Sequence, residues 1–369
     1  MSVHTRLPFV DLHPVDEALE LRAAIDRVVA SGWYVLGPEV ERFETEFAAA
    51  CGARFAIGVA NGTDAIALAL RALDIGRGDE VLVPAMTAAF TGLAVIAAGA
   101  RPVFVDVDAP TLTIDADACA RAITPRTRAI VPVHLYGQPA DMDAVRRVAA
   151  QHSLAIVEDC CQAHLAIEHG VPVGTRADAA AFSFYPTKNL GCLGDGGAVT
   201  TGDAALADRI RRLRNGGQAE RYRHVEPGIN SRLDELQAAI LRARLPHLQR
   251  WTNRRRELAA IYRRELPSSA QTIAERDAGH VYHLFPVRVP NRDGLRAHLA
   301  ADGIETLVHY PIPLTEMPAF ADCESMPCPV ASEAARTLLS LPLHPRLADA
   351  DVTAVARAVG TFVKGSGPA

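Results

Sequence analysis

Short apolar runs alternate with longer segments of helical periodicity from about residue 55 onward. Each run carries apolar side chains at successive positions, which indicates a strand that is buried on both faces. Strands of this kind, separated by helices, are typical of a mostly parallel sheet with helices on both sides. The predicted strands lie at residues 55–59, 80–84, 102–106, 129–133, 154–158, 179–184 and 197–201, and the first two helices at 63–73 and 87–98.

The pattern changes after about residue 203, where arginine-rich helical segments replace the alternation. Two predicted helices, 231–245 and 252–265, are separated by Pro246, which cannot continue a helix. A smaller α+β region follows them. Its predicted elements are strands at 281–289 and 305–309, a helix from residue 292 and closing helices near 331–339 and 351–362.

Two further helices are predicted before the first strand, at residues 16–30 and 39–50, and we expect them to pack against the C-terminal region. The change in pattern places a domain boundary near residue 245. Residues 1–245 are predicted to form the N-terminal helices and a large α/β domain, and residues 246–369 a smaller C-terminal α+β domain.

Composition narrows the class of protein. With 49% hydrophobic residues among 369 and a mean hydropathy of +0.08, the chain can bury a large core. The net charge of −5 gives no basic surface, so nucleic acid is not an expected partner. No apolar run reaches the roughly 18 residues of a membrane span, and the first residues lack the apolar stretch of a secretion signal. We therefore expect a soluble, cytoplasmic protein.

The seven cysteines show neither a disulfide framework nor a zinc-binding spacing. Cys160 and Cys161 are adjacent, and Cys323 and Cys328 have no nearby histidine to complete a metal site. We therefore predict free thiols and no metal.

Lysine is almost absent from this chain, because only two of its 38 Lys and Arg residues are lysines. Lys364 lies in the tail, whereas Lys188 ends the apolar run 179–188 and is followed at once by a glycine-rich stretch. Arginine keeps its proton near neutral pH, but a lysine amine can lose it, as Schiff-base chemistry requires. Lys188 is therefore predicted to be catalytic; the alternative is a surface lysine spared by codon bias.

Polar residues follow the carboxyl ends of several predicted strands, the edge at which open α/β sheets bind ligands. Gly62 and Thr63 open a helix after the first strand, where a close backbone approach and free N–H groups suit a phosphate. The alternative is an ordinary helix start with Thr63 as its cap. Ser183 precedes Lys188 by five residues and can bind the same phosphate.

Asp159 follows another apolar strand, where a carboxylate is costly unless it meets a cation such as the protonated ring nitrogen of pyridoxal phosphate. Gln162 can then reach the ring hydroxyl, and His164 either flanks the ring or is a satisfied buried histidine. Asn230 precedes a helix for which Ser231 is predicted as the N-cap. Asn230 therefore either serves a phosphate or belongs to a capping sequence alone.

Together these segments resemble the DegT/DnrJ/EryC1/StrS sugar aminotransferases, a family of fold-type I pyridoxal phosphate enzymes. The resemblance runs from about residue 8 to 345. It rests on the lysine segment, on Glu-Asp-x-x-Gln-Ala from residue 158, and on Gly-x-Asn-x-Arg-x-x-Glu-x-Gln from residue 228. It implies a mostly parallel mixed sheet flanked by helices, pyridoxal 5′-phosphate as the cofactor, and transamination as the reaction.

The resemblance also implies a role for each matched residue. Lys188 would form the Schiff base with the cofactor and act as the catalytic base. Asp159 would pair with the pyridinium nitrogen, and Gln162 would contact the ring oxygen.

The phosphate would be held by Gly62, Thr63 and Ser183. Asn230 would reach the phosphate of the other subunit's cofactor. A homodimer with shared active sites is therefore the assembly that the resemblance implies.

The implied acceptor is a nucleotide-linked keto-deoxysugar, with L-glutamate as the amino donor. Segments 132–137 and 230–239 resemble most closely the members that aminate C-3 of dTDP-keto-sugars. Three alternatives stay open: a cyclitol aminotransferase that uses glutamine, a deoxysugar dehydratase with the same fold and cofactor, and a non-enzymatic regulator. The dehydratases carry histidine in place of Lys188, and no DNA-binding module or basic patch supports the regulator.

The chain departs from the family at Ala88, where many members carry an aromatic residue stacked on the cofactor ring. Phe90 lies two positions later and need not point in the same direction. Neither residue is therefore assigned to the site.

Overall fold

The structure is a computed structural model, and it describes residues 7–13 and 17–365. Asp16, where the first predicted helix begins, lies outside the described residues. The helices are α1 (Ala18–Ser31), α2 (Pro38–Cys51), α3 (Gly62–Ala72), α4 (Ala89–Ala97), α5 (Ala116–Ala122), α6 (Met142–His152), α7 (Ala204–Leu213), α8 (Glu235–Arg244), α9 (Leu248–Glu265), α10 (Arg292–Ala301), α11 (Pro329–Thr337) and α12 (Asp349–Gly365).

The predicted strands are present through residue 201, and two short strands between residues 167 and 172 were not predicted. The strands are β1 (Phe55–Val59), β2 (Glu80–Pro84), β3 (Arg101–Val105), β4 (Thr127–Ile130), β5 (Ala155–Asp159), β6 (Ile167–Glu168), β7 (Val171–Pro172), β8 (Ala179–Ser183), β9 (Gly197–Thr201), β10 (Gln218–Glu220), β11 (Arg223–His224), β12 (Gln271–Thr272), β13 (Phe285–Arg288), β14 (Glu324–Ser325) and β15 (Leu338–Leu341).

An eight-stranded sheet forms the centre of the fold, in the order β1-β9-β8-β5-β4-β2-β3-β14. Neighbouring strands from β8 to β14 are parallel, whereas β9 is antiparallel to both β1 and β8. Strands β2 and β9 are buried along their whole length, as expected of strands covered on both faces. The predicted fold, a mostly parallel mixed sheet flanked by helices, is confirmed.

The two N-terminal helices pack mainly against α8, and α2 also packs against β1. Phe43 and Phe47 of α2 meet the rings of Phe182 and Phe184 edge to face, with centroids 5.1–5.3 Å apart. We expect these helices to pack against the C-terminal region, and this prediction is wrong, because their main partners lie elsewhere. Their apolar faces are covered by a helix and a strand that precede residue 245.

The N-terminus of α2 is capped by Glu235, the first residue of α8. Its carboxylate accepts hydrogen bonds from the N–H groups of Gly37 at 2.9 Å, Glu39 at 2.9 Å and Val40 at 2.8 Å. These N–H groups have no partner within the helix, and a negative charge at a helix N-terminus is favourable. Glu235 is 1% exposed, so this cap is a buried contact between two helices.

A second sheet, β12-β13-β15, is antiparallel. Helices α9, α10 and α12 pack against it in a common hydrophobic core. Two predictions are wrong here. Residues 305–309 do not form a strand; Leu307 makes a single bridge to Ser340. The helix predicted near 331–339 ends at Thr337, because the apolar run that follows it pairs with β13 as the buried strand β15.

The domain boundary near residue 245 stays a prediction. A 3-10 turn, Leu245–His247, contains Pro246 and separates α8 from α9 as the sequence predicts. All seven cysteines are free thiols, which confirms that prediction. Within residues 7–13 and 17–365, no helix combines the length and the apolar character needed to cross a membrane.

Candidate active site

A cavity of about 780 Å³ opens where the parallel strands of the main sheet end. Asp159 is the last residue of β5 and Ser183 the last of β8, and both line this cavity. Thr87 follows β2, and Val133 follows β4. The cavity therefore occupies the edge at which open α/β sheets bind their ligands.

The structure brings six of the seven predicted site residues together in this cavity. They are Gly62, Thr63, Asp159, Gln162, Ser183 and Lys188. Asn230 is exposed and does not line the cavity; it forms a bridge with Asn215 instead. The roles assigned to these residues stay predictions, whereas their convergence is a feature of the fold.

Asp159 is held by two hydrogen bonds that fix its carboxylate. The Thr91 hydroxyl donates to Oδ2 at 2.8 Å, and the Cys161 N–H donates to Oδ1 at 3.1 Å. Thr91 in turn lies 3.2 Å from the hydroxyl oxygen of Thr87. A carboxylate that is only 5% exposed and held in this way suits a positively charged ring nitrogen.

Gly62 forms a close contact at the start of α3. A Cβ at this position would lie 2.7 Å from Cys161 Sγ and 2.8 Å from Ser183 Cβ, so only glycine fits. The N-cap of α3 is Asn61, whose side chain accepts the N–H of Asp64 at 2.9 Å, and not Thr63. Because Thr63 is not needed as a cap, the N–H groups and hydroxyl of the first turn suit a phosphate.

Gln162 is fixed at both ends of its amide. Its oxygen accepts the N–H of Tyr136 at 2.7 Å, and its nitrogen donates to the Tyr310 hydroxyl at 2.9 Å. Tyr310 also lines the cavity, so Gln162 connects the end of β5 to a segment from the C-terminal third of the chain.

Lys188 is half-buried and lines the cavity from the turn that follows β8. Burial lowers the pKa of its amine, and the neighbouring Cys161 and Asp159 act in the opposite direction. The turn is tight, since a Cβ on Gly191 would lie 2.5 Å from the carbonyl oxygen of Pro186. A lowered pKa provides the neutral amine that a nucleophile or base needs.

Two of the open alternatives concern residues near these six. His164 lies among Phe182 and Phe184 in the core and does not line the cavity, and burial lowers its pKa to about 3. Ser231 is not the N-cap of α8, because that helix begins at Glu235. The hydroxyl of Ser231 instead accepts a hydrogen bond from the Ala60 N–H at 3.1 Å. Asn230 is thus not part of a capping sequence for α8.

Several cavity residues carry no sequence signal that points to the site. Thr91 lies one helical turn after Thr87, and only the structure shows its bond to Asp159. His283, His309 and Tyr310 reach the cavity from distant parts of the chain. Ala88 and Phe90 also line the cavity, and the side chain of Phe90 is 64% exposed.

His134, Glu158 and Cys160 form a buried cluster of a composition that can bind a metal. Glu158 already accepts hydrogen bonds from His134 Nε2 at 2.9 Å and from the N–H groups of Gly174 at 2.8 Å and Arg176 at 3.2 Å. These bonds account for the buried carboxylate, and they tie residues 174–176 to the end of β5.

A family model described as the DegT/DnrJ/EryC1/StrS aminotransferase family matches residues 16–360. The chain belongs to that family. This aminotransferase is 53% identical over 350 residues to the dTDP-3-amino-3,4,6-trideoxy-alpha-D-glucose transaminase of Streptomyces venezuelae, a match that covers 93% of this chain and 92% of the relative.

Solved structures agree with this membership. The aminotransferase superposes with a TM-score of 0.94 on S. venezuelae DesV in complex with a ketimine intermediate, at 51% identity, covering 97% of this chain and 99% of that one. It matches NtdA of Bacillus subtilis with bound cofactor PMP at a TM-score of 0.90 and 32% identity, covering 98% and 86%. The predicted family, fold type, transaminase activity and pyridoxal phosphate cofactor are thereby confirmed.

The cavity fits this cofactor. Gly62 lets the N-terminus of α3 pack closely against Ser183, and the N–H groups of that first turn together with the Ser183 hydroxyl suit the phosphate. The fixed carboxylate of Asp159 suits the ring nitrogen, and Lys188 provides an amine that burial favours in its neutral form.

Proposed function

We propose that this aminotransferase transfers an amino group from L-glutamate to C-3 of a dTDP-linked keto-deoxysugar. The observation that carries the proposal is the 53% identity, over nearly the whole chain, to a relative named for a dTDP-3-amino sugar. The cavity supports it, because about 780 Å³ is larger than a cofactor alone requires and lies within the range of ligand sites.

Each side chain has a defined task in this proposal. Lys188 releases the cofactor, and its neutral Nζ takes the proton from Cα of the amino donor. Asp159 keeps a proton on the ring nitrogen, and Gln162 positions the ring oxygen. Pyridoxal phosphate, when bound, supplies the electron sink that stabilises the carbon from which the proton leaves.

The proposal is tested by assaying a panel of acceptors with glutamate and glutamine as donors, followed by NMR of each product. The panel contains dTDP- and UDP-linked 3-keto- and 4-keto-sugars and scyllo-inosose. We expect the highest kcat/KM with a dTDP-3-keto-deoxysugar and glutamate, and an amine at C-3 in the product. A preference for scyllo-inosose and glutamine would instead make the protein a cyclitol aminotransferase.

The assembly and the location also belong to this proposal. Asn230 is exposed on one chain and lies outside that chain's cavity, which suits an amide that serves a neighbouring subunit. We propose a homodimer in which Asn230 binds the phosphate of the partner's cofactor. Free thiols suit a reducing cytoplasm, where we place the enzyme.

Asn230→Ala is expected to weaken cofactor binding by about 1–3 kcal/mol, the cost of leaving a phosphate oxygen without its partner. Cofactor affinity is measured by spectroscopic titration. Asn253→Ala, at an exposed asparagine of α9, is the matched control and should bind as tightly as the wild type.

Mixed dimers show whether Asn230 acts across the interface. In a hybrid of Asn230→Ala and Lys188→Ala subunits, the site with intact Lys188 receives an intact Asn230 from its partner. That site should bind cofactor with near wild-type affinity and recover activity. If the mixture is no better than the Asn230→Ala homodimer after confirmed subunit exchange, Asn230 acts within its own chain.

A further inference from the structure

His283 lies two residues before β13 and lines the same cavity as Lys188, although it is only 7% exposed. Burial, together with the charge of Lys188, lowers the pKa of His283 well below its ordinary value. The ring is therefore neutral at physiological pH. A neutral imidazole has one nitrogen that donates and one that accepts, so its tautomer decides what it presents to the cavity.

The tautomer follows from Asn189, the residue after Lys188. Asn189 Nδ2 donates to the carbonyl oxygen of Val281 at 2.9 Å, which turns Oδ1 toward His283 Nδ1 at 3.3 Å. An amide oxygen can only accept, so the hydrogen of the ring lies on Nδ1. Nε2 therefore carries a lone pair.

Nε2 makes no hydrogen bond to any residue that the structure describes, and neither does Lys188 Nζ. Two other polar groups lining the cavity are already engaged, because Thr91 donates to Asp159 and the Tyr310 hydroxyl accepts from Gln162. The acceptor on His283 and the amine of Lys188 are thus complementary groups in one cavity, connected through Asn189.

We propose that His283 is a positioning residue, whose Nε2 accepts a hydrogen bond from the Lys188 amine and orients it for proton transfer. The inference rests on the assignment of Lys188 as the lysine that holds the cofactor. When Nζ takes the proton from Cα of the amino donor, the C–H bond breaks and Lys188 becomes an ammonium with three N–H groups. One N–H donates to Nε2, which leaves another directed toward the cofactor carbon that receives the proton. His283 neither gains nor loses a proton.

Other titratable groups surround this pair. Cys161 and Asp159 act on the Lys188 amine, and Arg255, His309 and His164 act on the ring of His283. Burial lowers the pKa of His309 to about 4 and that of His164 to about 3, so both are neutral together with His283. None of these histidines competes with Lys188 for a proton near neutral pH.

Two substitutions separate the two ring nitrogens. His283→Asn keeps a donor near the Nδ1 position, for the bond to Asn189, but has no acceptor at the Nε2 position. His283→Gln places its amide at the Nε2 position and can restore the acceptor. His280→Asn is the matched control, because His280 is a buried histidine of the same segment that does not line the cavity and instead accepts the Tyr282 N–H at 2.9 Å.

The first measurement is the pH dependence of acetylation of the two lysines in the full-length protein in its pyridoxamine phosphate form, in which Lys188 carries no Schiff base, followed by mass spectrometry. Lys364 is exposed and serves as the internal reference. A hydrogen-bond acceptor stabilises the ammonium, so its loss lowers the pKa of Lys188. We expect His283→Asn to shift the Lys188 titration down by about one pH unit, with Lys364 unchanged. His283→Gln should reverse part of the shift, and His280→Asn should cause none.

The second measurement is the stopped-flow rate of the half-reaction with glutamate and α-deuterated glutamate. His283→Asn should slow proton transfer about tenfold or more with an undiminished isotope effect and unchanged cofactor affinity, and His283→Gln should recover part of the rate. An unshifted Lys188 titration in His283→Asn, or equal effects of His283→Asn and His280→Asn, would overturn the inference. The acetylation experiment does not depend on the acceptor sugar, so its outcome is independent of the proposed substrate.

Discussion

Lys188→Ala is expected to abolish amino-group transfer and leave the fold unchanged. The substitution removes the only amine that lines the cavity in the described part of the chain, and that amine is needed both to hold the cofactor and to move the proton. Truncating a half-buried lysine whose amine forms no hydrogen bond to a described residue should cost little stability. Turnover, circular dichroism and the visible absorption of the holoenzyme measure these effects.

Lys364→Ala is the matched control, because Lys364 is the other lysine of the chain and lies exposed near the end of α12. It should retain full activity. Borohydride reduction of the wild-type holoenzyme should fix the pyridoxyl group on the peptide that contains Lys188. Labelling of Lys364 instead, or turnover by Lys188→Ala, would contradict the assignment.

Asp159→Asn is expected to reduce kcat by roughly ten- to a thousandfold while largely preserving cofactor affinity. An opposite charge at hydrogen-bond distance raises the pKa of a cationic group by about one to three units, and each unit is a factor of ten in protonation. Asparagine keeps the size of the side chain and one oxygen for the Thr91 or Cys161 donor, but it lacks the charge. The rate of the half-reaction and the absorption spectrum of the bound cofactor measure the effect.

Asp106→Asn is the matched control for Asp159→Asn. It removes a buried carboxylate at the end of another strand without removing the charge that faces the cofactor ring. Asp106 follows β3 and is 8% exposed, but it accepts the N–H groups of Val330 at 3.0 Å and Ala331 at 2.9 Å at the start of α11. Its substitution should lower the unfolding temperature without changing kcat. Near wild-type turnover in Asp159→Asn would show that the ring nitrogen has another partner.

The central sheet could be predicted from the sequence because its strands are short, apolar on both faces and separated by clear helices. Strands β1, β2 and β9 occupy the predicted residues. The C-terminal part was harder to predict for a physical reason. The apolar run at 338–341 is compatible with the end of a helix or with a strand, and only its pairing with β13 decides between them.

The residues of the cavity also divide into those that the sequence could predict and those that it could not. Residues at strand ends, such as Asp159 and Ser183, could be placed from their position in the pattern. His283 and Tyr310 could not, because they meet Asn189 and Gln162 through long-range folding and no local spacing records that meeting. Local sequence offers Thr63 and Ser231 as helix caps, but α3 begins after Asn61, which caps it, and α8 begins after Asp234, while the Ser231 hydroxyl accepts the N–H of Ala60.

The cap that Glu235 supplies to α2 has a consequence for the order in which the chain becomes stable during synthesis. The bonded groups are 195–198 positions apart, and the buried face of α1 also packs on Ala239 of α8. Residues 18–51 therefore leave the ribosome long before the helix that covers them exists. Contacts over such a sequence separation form late, and until then these apolar helix faces are open to aggregation or to a chaperone.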